Sequence, residues 1–255
     1  MSFAVFSDIH ANLEALETAV SCAQGRGITR FAVLGDTIGY GADPNECLEW
    51  VFAHAAVNVY GNHERALVQP ELREQFNSWA AEAIEWTAGI LDPKLTQKIR
   101  ELTFMRIEDG ISFVHGSPDR PEEFRYLFNF GDCEDSFRQM QTDICFTGHT
   151  HVPCCFCEQK KSAEYLAPGK IVIPRLDRGI QHTDSRFRGN DVPLRVILNP
   201  GSVGQPRDRD PRLSFGIYDS EVRTFEIVRL DYDNQKAAAK IRRAGLPSFL
   251  ADRLL

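Results

Sequence analysis

Two histidines stand one residue apart in "FTGHTHVP": His149 and His151, behind a glycine and just ahead of a proline. Extended backbone shows residues i and i+2 on one side, so a strand here would aim both imidazoles at a shared target. The same spacing recurs in "SDIHAN", where Asp8 and His10 follow a short apolar run. Asp36 follows a second run in "AVLGDTIGYG", Asn62 and His63 a third in "VNVYGNHE", and His115 ends "SFVHG". Of the seven histidines only His54 and His182 lie outside these clusters. Imidazole, carboxylate and one amide carbonyl make a mixed nitrogen and oxygen donor set that suits Mn, Fe, Zn, Ni or Co. The donors are too many for one tetrahedral ion and about right for two divalent ions sharing a carboxylate. No cysteine falls in any cluster, which argues against a structural zinc site. Two ions about 3.5–4 Å apart clamp a phosphoryl group and acidify a water held between them.

Each cluster alone says little, because Asp-x-His and Gly-Asp occur in many chains. Their order and placement say more. FAVFS, RFAVL and AVNVY read as buried strands, and helical patterns separate them, at Leu13 to Gln24 and from Asp43-Pro44 to His54. This alternation predicts an α/β sheet. Open α/β sheets bind ligands at the carboxyl ends of strands, where every cluster falls. Residues 73–103 read as a helical hairpin, with Phe76, Trp79, Ala80, Ala83, Ile84 and Thr87 at helical spacing and the tryptophans taken as core. The second half reads mostly as strands, including a hairpin through Asp109-Gly110, with a helix near 132–141 and a charged helix at 233–243. The expectation is one domain over residues 1–255, built from two sheets with helices outside.

Composition bounds the function. Hydrophobic residues make 43% of 255 and charged residues 25%, ordinary for a globular chain with a sizeable core. No run of 18 apolar residues exists and MSFAVFSDIH lacks a signal-peptide pattern, so the expected setting is cytoplasmic, with no membrane partner. The seven cysteines lack disulfide spacing and read as reduced thiols. A net charge of −7 and no basic, aromatic-studded groove count against nucleic acid. A small phosphorylated substrate remains the expected partner, with metals supplying local positive charge. Oligomeric state is not legible.

The motifs "SDIHAN", "LGDTIGYG", "GNHE", "VHGSP" and "TGHTHVP", in this order, resemble those of the calcineurin-like metallophosphoesterase superfamily. "NPGSVGQPRD" resembles the C-terminal signature of its small prokaryotic phosphodiesterase branch. The likeness covers about residues 1–160 and 194–230. It implies a two-sheet β-sandwich flanked by helices, a four-layer αββα arrangement. It also implies metal-dependent hydrolysis of phosphodiesters or small phosphomonoesters, with a metal-bridging hydroxide as nucleophile. By resemblance, Asp8, His10 and His151 would hold one ion, Asn62, His115 and His149 the other, and Asp36 both. His63 would touch the phosphate instead of a metal. "GDTIGYG" departs from the "GDxVDRG" of protein phosphatases and symmetric dinucleoside-polyphosphate hydrolases, which lowers those activities. Glu64 and Arg65 in "GNHER" do resemble the phosphatase version, so that alternative stays open. A non-catalytic scaffold on the same fold predicts broken motifs, whereas every ligand position is filled here.

Residues 168–193 differ in character from both flanks. Lys170, Arg175, Arg178, Arg186 and Arg188 against Asp177, Asp184 and Asp191 give +2 in a chain of −7. Part of the stretch resembles the translated product of palindromic repeat elements of some bacterial genomes, and the expectation is a loop insertion between strands. Cys154, Cys155 and Cys157 read as buried small hydrophobes, with a redox switch as the rival reading. Asn199, Gly201 and Ser202 read as a structural turn, and Arg207 and Arg209 as a solvated loop with phosphate contact as the alternative.

Overall fold

Alternation along one short strand explains the layering. In β1 (Ser2–Phe6), Phe3 and Val5 face the gap between two sheets, while Ala4 and Phe6 face helices on the outside. Both faces are therefore apolar, as strands covered on both sides require. The computed structural model describes residues 2–173 and 195–255. From β1 the chain runs through α1 (Leu13–Gly25), β2 (Phe31–Val33), α2 (Pro44–His54), β3 (Ala55–Asn58) and α3 (Asn62–Val68). A 3-10 turn (Pro70–Gln75) leads to α4 (Ser78–Ile90), α5 (Pro93–Arg100), β4 (Met105–Glu108) and β5 (Ile111–Val114). Then come α6 (Glu134–Gln139), β6 (Ile144–Phe146), β7 (Cys154–Cys157), β8 (Ser162–Tyr165) and β9 (Gly169–Val172). The chain closes with β10 (Val196–Asn199), β11 (Leu213–Asp219), β12 (Thr224–Leu230), α7 (Asn234–Arg243) and α8 (Ser248–Asp252).

Two six-stranded mixed sheets result, ordered β3-β2-β1-β11-β12-β9 and β4-β5-β6-β10-β7-β8. This is the expected two-sheet sandwich flanked by helices. β1, β2 and β3 run parallel in the first sheet, and β5, β6 and β10 in the second. Phe3 anchors the space between the sheets, with Phe113, Phe146 and Tyr218 at 5.5–6.0 Å between ring centroids. Each such buried aromatic contributes roughly 1.5–3 kcal/mol. α1 and α2 cover one outer face, and α6 covers the other. Side chains of Asn12, Asn77 and Asp92 cap α1, α4 and α5 by accepting backbone N–H bonds, worth about 1 kcal/mol each.

Within 73–103, α4 and α5 pack on α3 through Ile84, Leu91, Leu95, Ile99 and Leu67. Trp86 is half-buried, but Trp79 departs from the core reading. It is 43% exposed and stacks on Phe249 of α8 at 4.1 Å, because α4 turns only one face to the body. Of the segment 168–193, Gly169–Val172 forms edge strand β9, paired antiparallel with β12, and residues 174–193, His182 among them, lie outside the described residues. His54 is exposed at the end of α2, stacked on Trp50. Among the described residues no helix is long and apolar enough to cross a membrane.

Candidate metal centre

The parallel strands of both sheets end on one side of the molecule, and their loops meet there. Asp8 and His10 follow β1, Asp36 follows β2, Asn62 and His63 open α3 after β3, His115 follows β5, and His149 and His151 follow β6. The two-residue spacing works differently from the strand reading. β6 stops at Phe146, and His149 and His151 sit in an irregular loop with φ of 67° and 60°. Asp8, His10 and Asp36 also hold φ between 50° and 54°. Left-handed backbone at non-glycine residues costs of order 1–3 kcal/mol each and collects where function over-determines the chain. The strain turns the side chains of these loops inward.

Asp8, His10, Asp36, His63, His115, His149 and His151 are brought together, each at most 5% exposed. Potential ligand atoms group within 4.8 Å in three sets: Asp8 with His10 and His151, Asp36 with His115 and His149, and His10 with Asp36 and His63. Asp36 Oδ2 lies 3.3 Å from His115 Nε2 and 3.8 Å from His10 Nε2, so it stands between the sets. His10, His115 and His151 each donate Nδ1–H to a backbone carbonyl, of Ile38 (3.0 Å), Leu34 (2.7 Å) and Gln205 (2.5 Å). That fixes the tautomer and leaves Nε2 as a lone pair directed at the centre.

Those lone pairs confront one another. His10 Nε2 faces His151 Nε2 at 3.2 Å, and His115 Nε2 faces His149 Nδ1 at 3.0 Å. Two lone pairs at hydrogen-bond distance repel unless a cation or a proton lies between them. Asp8 Oδ1 and Asn62 Oδ1 are buried with no hydrogen-bond partner. Orphaned buried acceptors cost roughly 1–3 kcal/mol each. The donor set therefore fits divalent cations, at the positions of the predicted ligands. His63 belongs to a set by geometry as well, although the resemblance assigns it to substrate.

The electrostatics agree. Burial, then the facing His151, holds His10 well below the ordinary imidazole range, and burial with His115 does the same to His149. Burial outweighs the pull of Asp8 and lowers His151. Burial opposes charging His115 too, but Asp36 and Asp8 outweigh it and push it up to about 9. Burial works against ionising Asp8 and Asp36, yet His151 and His115 keep Asp8, and His115 and His63 keep Asp36, below the usual carboxylate range. Two ionised carboxylates beside imidazoles that burial keeps neutral at His10, His149 and His151 are what a divalent cation binds, and a cation at His115 would displace its proton.

Several further groups support the centre, and of these Tyr40, Tyr126 and Gly39 are not singled out by sequence reasoning. The Glu64 carboxylate, fully buried, accepts N–H bonds from Asp36, Thr37, Ile38 and Gly61 at 2.7–3.2 Å and shapes the loop that presents Asp36. Burial and the nearby Asp36 push it up to about 7. Tyr40 packs its ring 4.6 Å from both His10 and His63, and Tyr126 stacks on His149 at 3.8 Å. Gly39, at φ 84°, lies beneath His63, where a Cβ would overlap the ring. The turn after β10 braces both halves of the centre. Asn199 donates to Gly148 O (2.7 Å) and Thr150 Oγ1 (3.0 Å) and accepts from Gly201 N–H (2.8 Å), while Ser202 donates to Asp8 O (2.8 Å). Arg207 is half-buried beside this centre and Arg209 is exposed. Cys154 and Cys155 on β7 have thiols pushed up by burial, Cys155 to about 12, so neither presents the thiolate a redox switch needs.

Fold and centre together define a metallophosphoesterase. A model of the calcineurin-like phosphoesterase superfamily domain matches residues 1–184, and the chain belongs to that superfamily. It is similar to an uncharacterized protein of Methanocaldococcus jannaschii, 36% identical over 256 residues, which span 98% of this chain and 96% of that one. The crystal structure of a metallophosphoesterase from Sphaerobacter thermophilus superposes with a TM-score of 0.84 at 34% identity, covering 100% of this chain and 98% of that one. A hypothetical protein from Pyrococcus horikoshii shares the fold at 17% identity, with a TM-score of 0.75 over 99% of this chain and 97% of that one. Membership makes the chain a phosphoric ester hydrolase of a metal-binding family.

Proposed function

We propose that the chain hydrolyses phosphodiesters or small phosphomonoesters at a dinuclear metal centre, acting in the cytoplasm. The observation that carries this reading is the place of Asp36, whose carboxylate belongs to two ligand sets at once. In this reading Asp8, His10 and His151 hold one ion, Asn62, His115 and His149 hold the other, and Asp36 is shared. Mn, Fe, Zn, Ni or Co would suit the donors. Bound there, two divalent ions supply Lewis acidity and lower the pKa of water enough for it to attack phosphorus near neutral pH.

The chain's own groups do the rest. The carbonyls of Leu34, Ile38 and Gln205 hold three imidazoles in the ligating tautomer before any substrate arrives. His63, with Nδ1 buried and unpartnered, faces the centre beside Asp36. Burial, against the pull of Asp36, lowers His63 to about 4, so it starts neutral. An anionic substrate favours its protonated form, and it can then hold a phosphoryl oxygen or give a proton to the leaving oxygen. The test compares bis-(p-nitrophenyl) phosphate with p-nitrophenyl phosphate, with Mn²⁺ and with chelator, and with Asp36→Asn as control. Metal-dependent turnover lost in the variant is the expected result. No turnover of either ester by protein with two bound ions would refute the reading.

A further inference from the structure

Among the described residues, one cation beside the centre lacks an anionic partner. The backbone N–H of Arg207 donates to His151 O at 3.3 Å, which fixes the residue next to a ligand loop. Its guanidinium lies 5.9 Å from the centroid of the Tyr40 ring and donates to Gln205 Oε1 at 3.2 Å. Its Nε is buried with no hydrogen-bond partner. The neighbouring acids are committed elsewhere: Asp208 pairs with Arg229, and Asp210 pairs with Arg212 at 2.7 Å. Among the described residues no carboxylate lies within 4.0 Å of Arg207. Its charge acts on the candidate ligand His151 and on His63, Tyr40 and Tyr126 beside it. Arg253, at the end of α8, feels burial first and then the like charge of Arg207, and both lower it. A buried donor without an acceptor, on a cation with like charge beside it, is an arrangement that an anionic ligand completes.

Charge decides which anion. Two divalent ions bring four positive charges, and Asp8 and Asp36 return two. Arg207 adds one more to a centre whose carboxylate and imidazole ligands are each at most 5% exposed. A phosphodiester carries a single negative charge and two free oxygens. A phosphomonoester carries two charges and three free oxygens, one more than two ions engage singly.

We propose that Arg207, framed by Tyr40 and Tyr126, binds the third free oxygen of a phosphomonoester, making a phosphomonoester dianion the preferred substrate. This rests on the hydrolytic reading above and narrows it. The test uses Mn²⁺-loaded full-length protein and the variants Arg207→Met and Arg207→Lys. Calorimetric titration with inorganic phosphate runs beside kinetics on p-nitrophenyl phosphate and bis-(p-nitrophenyl) phosphate. Arg207→Met should weaken phosphate binding and lower kcat/KM for the monoester about 10- to 100-fold, largely through KM, with the diester changed less than about threefold. Arg207→Lys should recover part of both losses, and Mn²⁺ affinity should hold in both variants. Unchanged phosphate affinity in Arg207→Met, or equal losses on the two esters, would overturn the proposal. If the native protein turns over neither ester, the hydrolytic reading fails, and the phosphate titration still decides whether Arg207 is an anion-binding residue.

Discussion

Replacing Asn199 by alanine tests whether the turn after β10 holds the metal centre together. Asn199 is fully buried and makes three hydrogen bonds, two of them with the backbone of Gly148 and Gly201. The Thr150 hydroxyl can rotate to another partner, but the Gly148 carbonyl and the Gly201 N–H have nowhere to turn. Each orphaned buried group costs about 1–3 kcal/mol, so the expected loss is roughly 3–4 kcal/mol. For a chain of this size that corresponds to a fall in Tm of about 6–16 °C. The same residue pins the carbonyl that precedes His149, so Mn²⁺ affinity should drop about 10- to 100-fold, as losing the support of metal ligands typically does. Thermal and urea unfolding with chelator present give the first number, and calorimetric Mn²⁺ titration the second. A stability loss under about 0.5 kcal/mol, or unchanged metal affinity in a destabilised variant, would refute the brace.

Other expected outcomes concern the centre and the helix that packs behind it. Chelation should lower Tm markedly, because metal present at 100 times its Kd contributes about 2.7 kcal/mol; an identical melting curve with and without chelator would mean the cluster binds no metal. Gly39→Ala forces a Cβ into the His63 ring at a φ of 84°, so turnover should fall while Mn²⁺ affinity holds; a fully active variant would show that the loop yields. The buried Glu14 carboxylate pairs with Lys240 at 2.7 Å and Lys236 at 3.0 Å. Burial opposes its ionisation, but the lysines win and hold it below its ordinary 4.5. A depressed folded pKa adds stability that is present above pH 4.5 and fades as pH falls. Glu14→Gln should therefore cost about 1–2 kcal/mol at pH 7, the gap from the native protein narrowing in urea titrations below pH 4.5; a gap constant with pH would contradict the ion pairing.

The candidate ligands were legible because each sits as a polar interruption straight after an apolar run, and strand ends of parallel sheets are where such residues converge. The backbone that aims them was not. Two histidines at i and i+2 fit a strand, and only the left-handed dihedrals of His149 and His151 reveal a loop. The seven-residue helix α3 hid because "GNHER" is short and polar. Gln205 holds His151 through a backbone carbonyl, which any residue type provides, so its side chain gives no signal. Tyr126 lies in an irregular stretch without periodicity and reaches His149 only through the tertiary fold. The charge shift that marks residues 168–193 masked a strand, since Gly169–Val172 pairs with β12 by backbone bonds that ignore composition.

The centre draws on both sheets and on carbonyls far apart along the chain. His10 meets His151 across 141 positions, and His151 takes its tautomer from Gln205 another 54 positions on. A nascent chain on the ribosome thus cannot close this centre until well over three-quarters of its length has emerged. Contacts at such separation form late and slowly. During synthesis Asp8, His10 and Asp36 emerge long before His115, His149 and His151, so the two sets that need those histidines cannot form early. A chain interrupted before Gln205 would lack the carbonyl that sets the tautomer of His151.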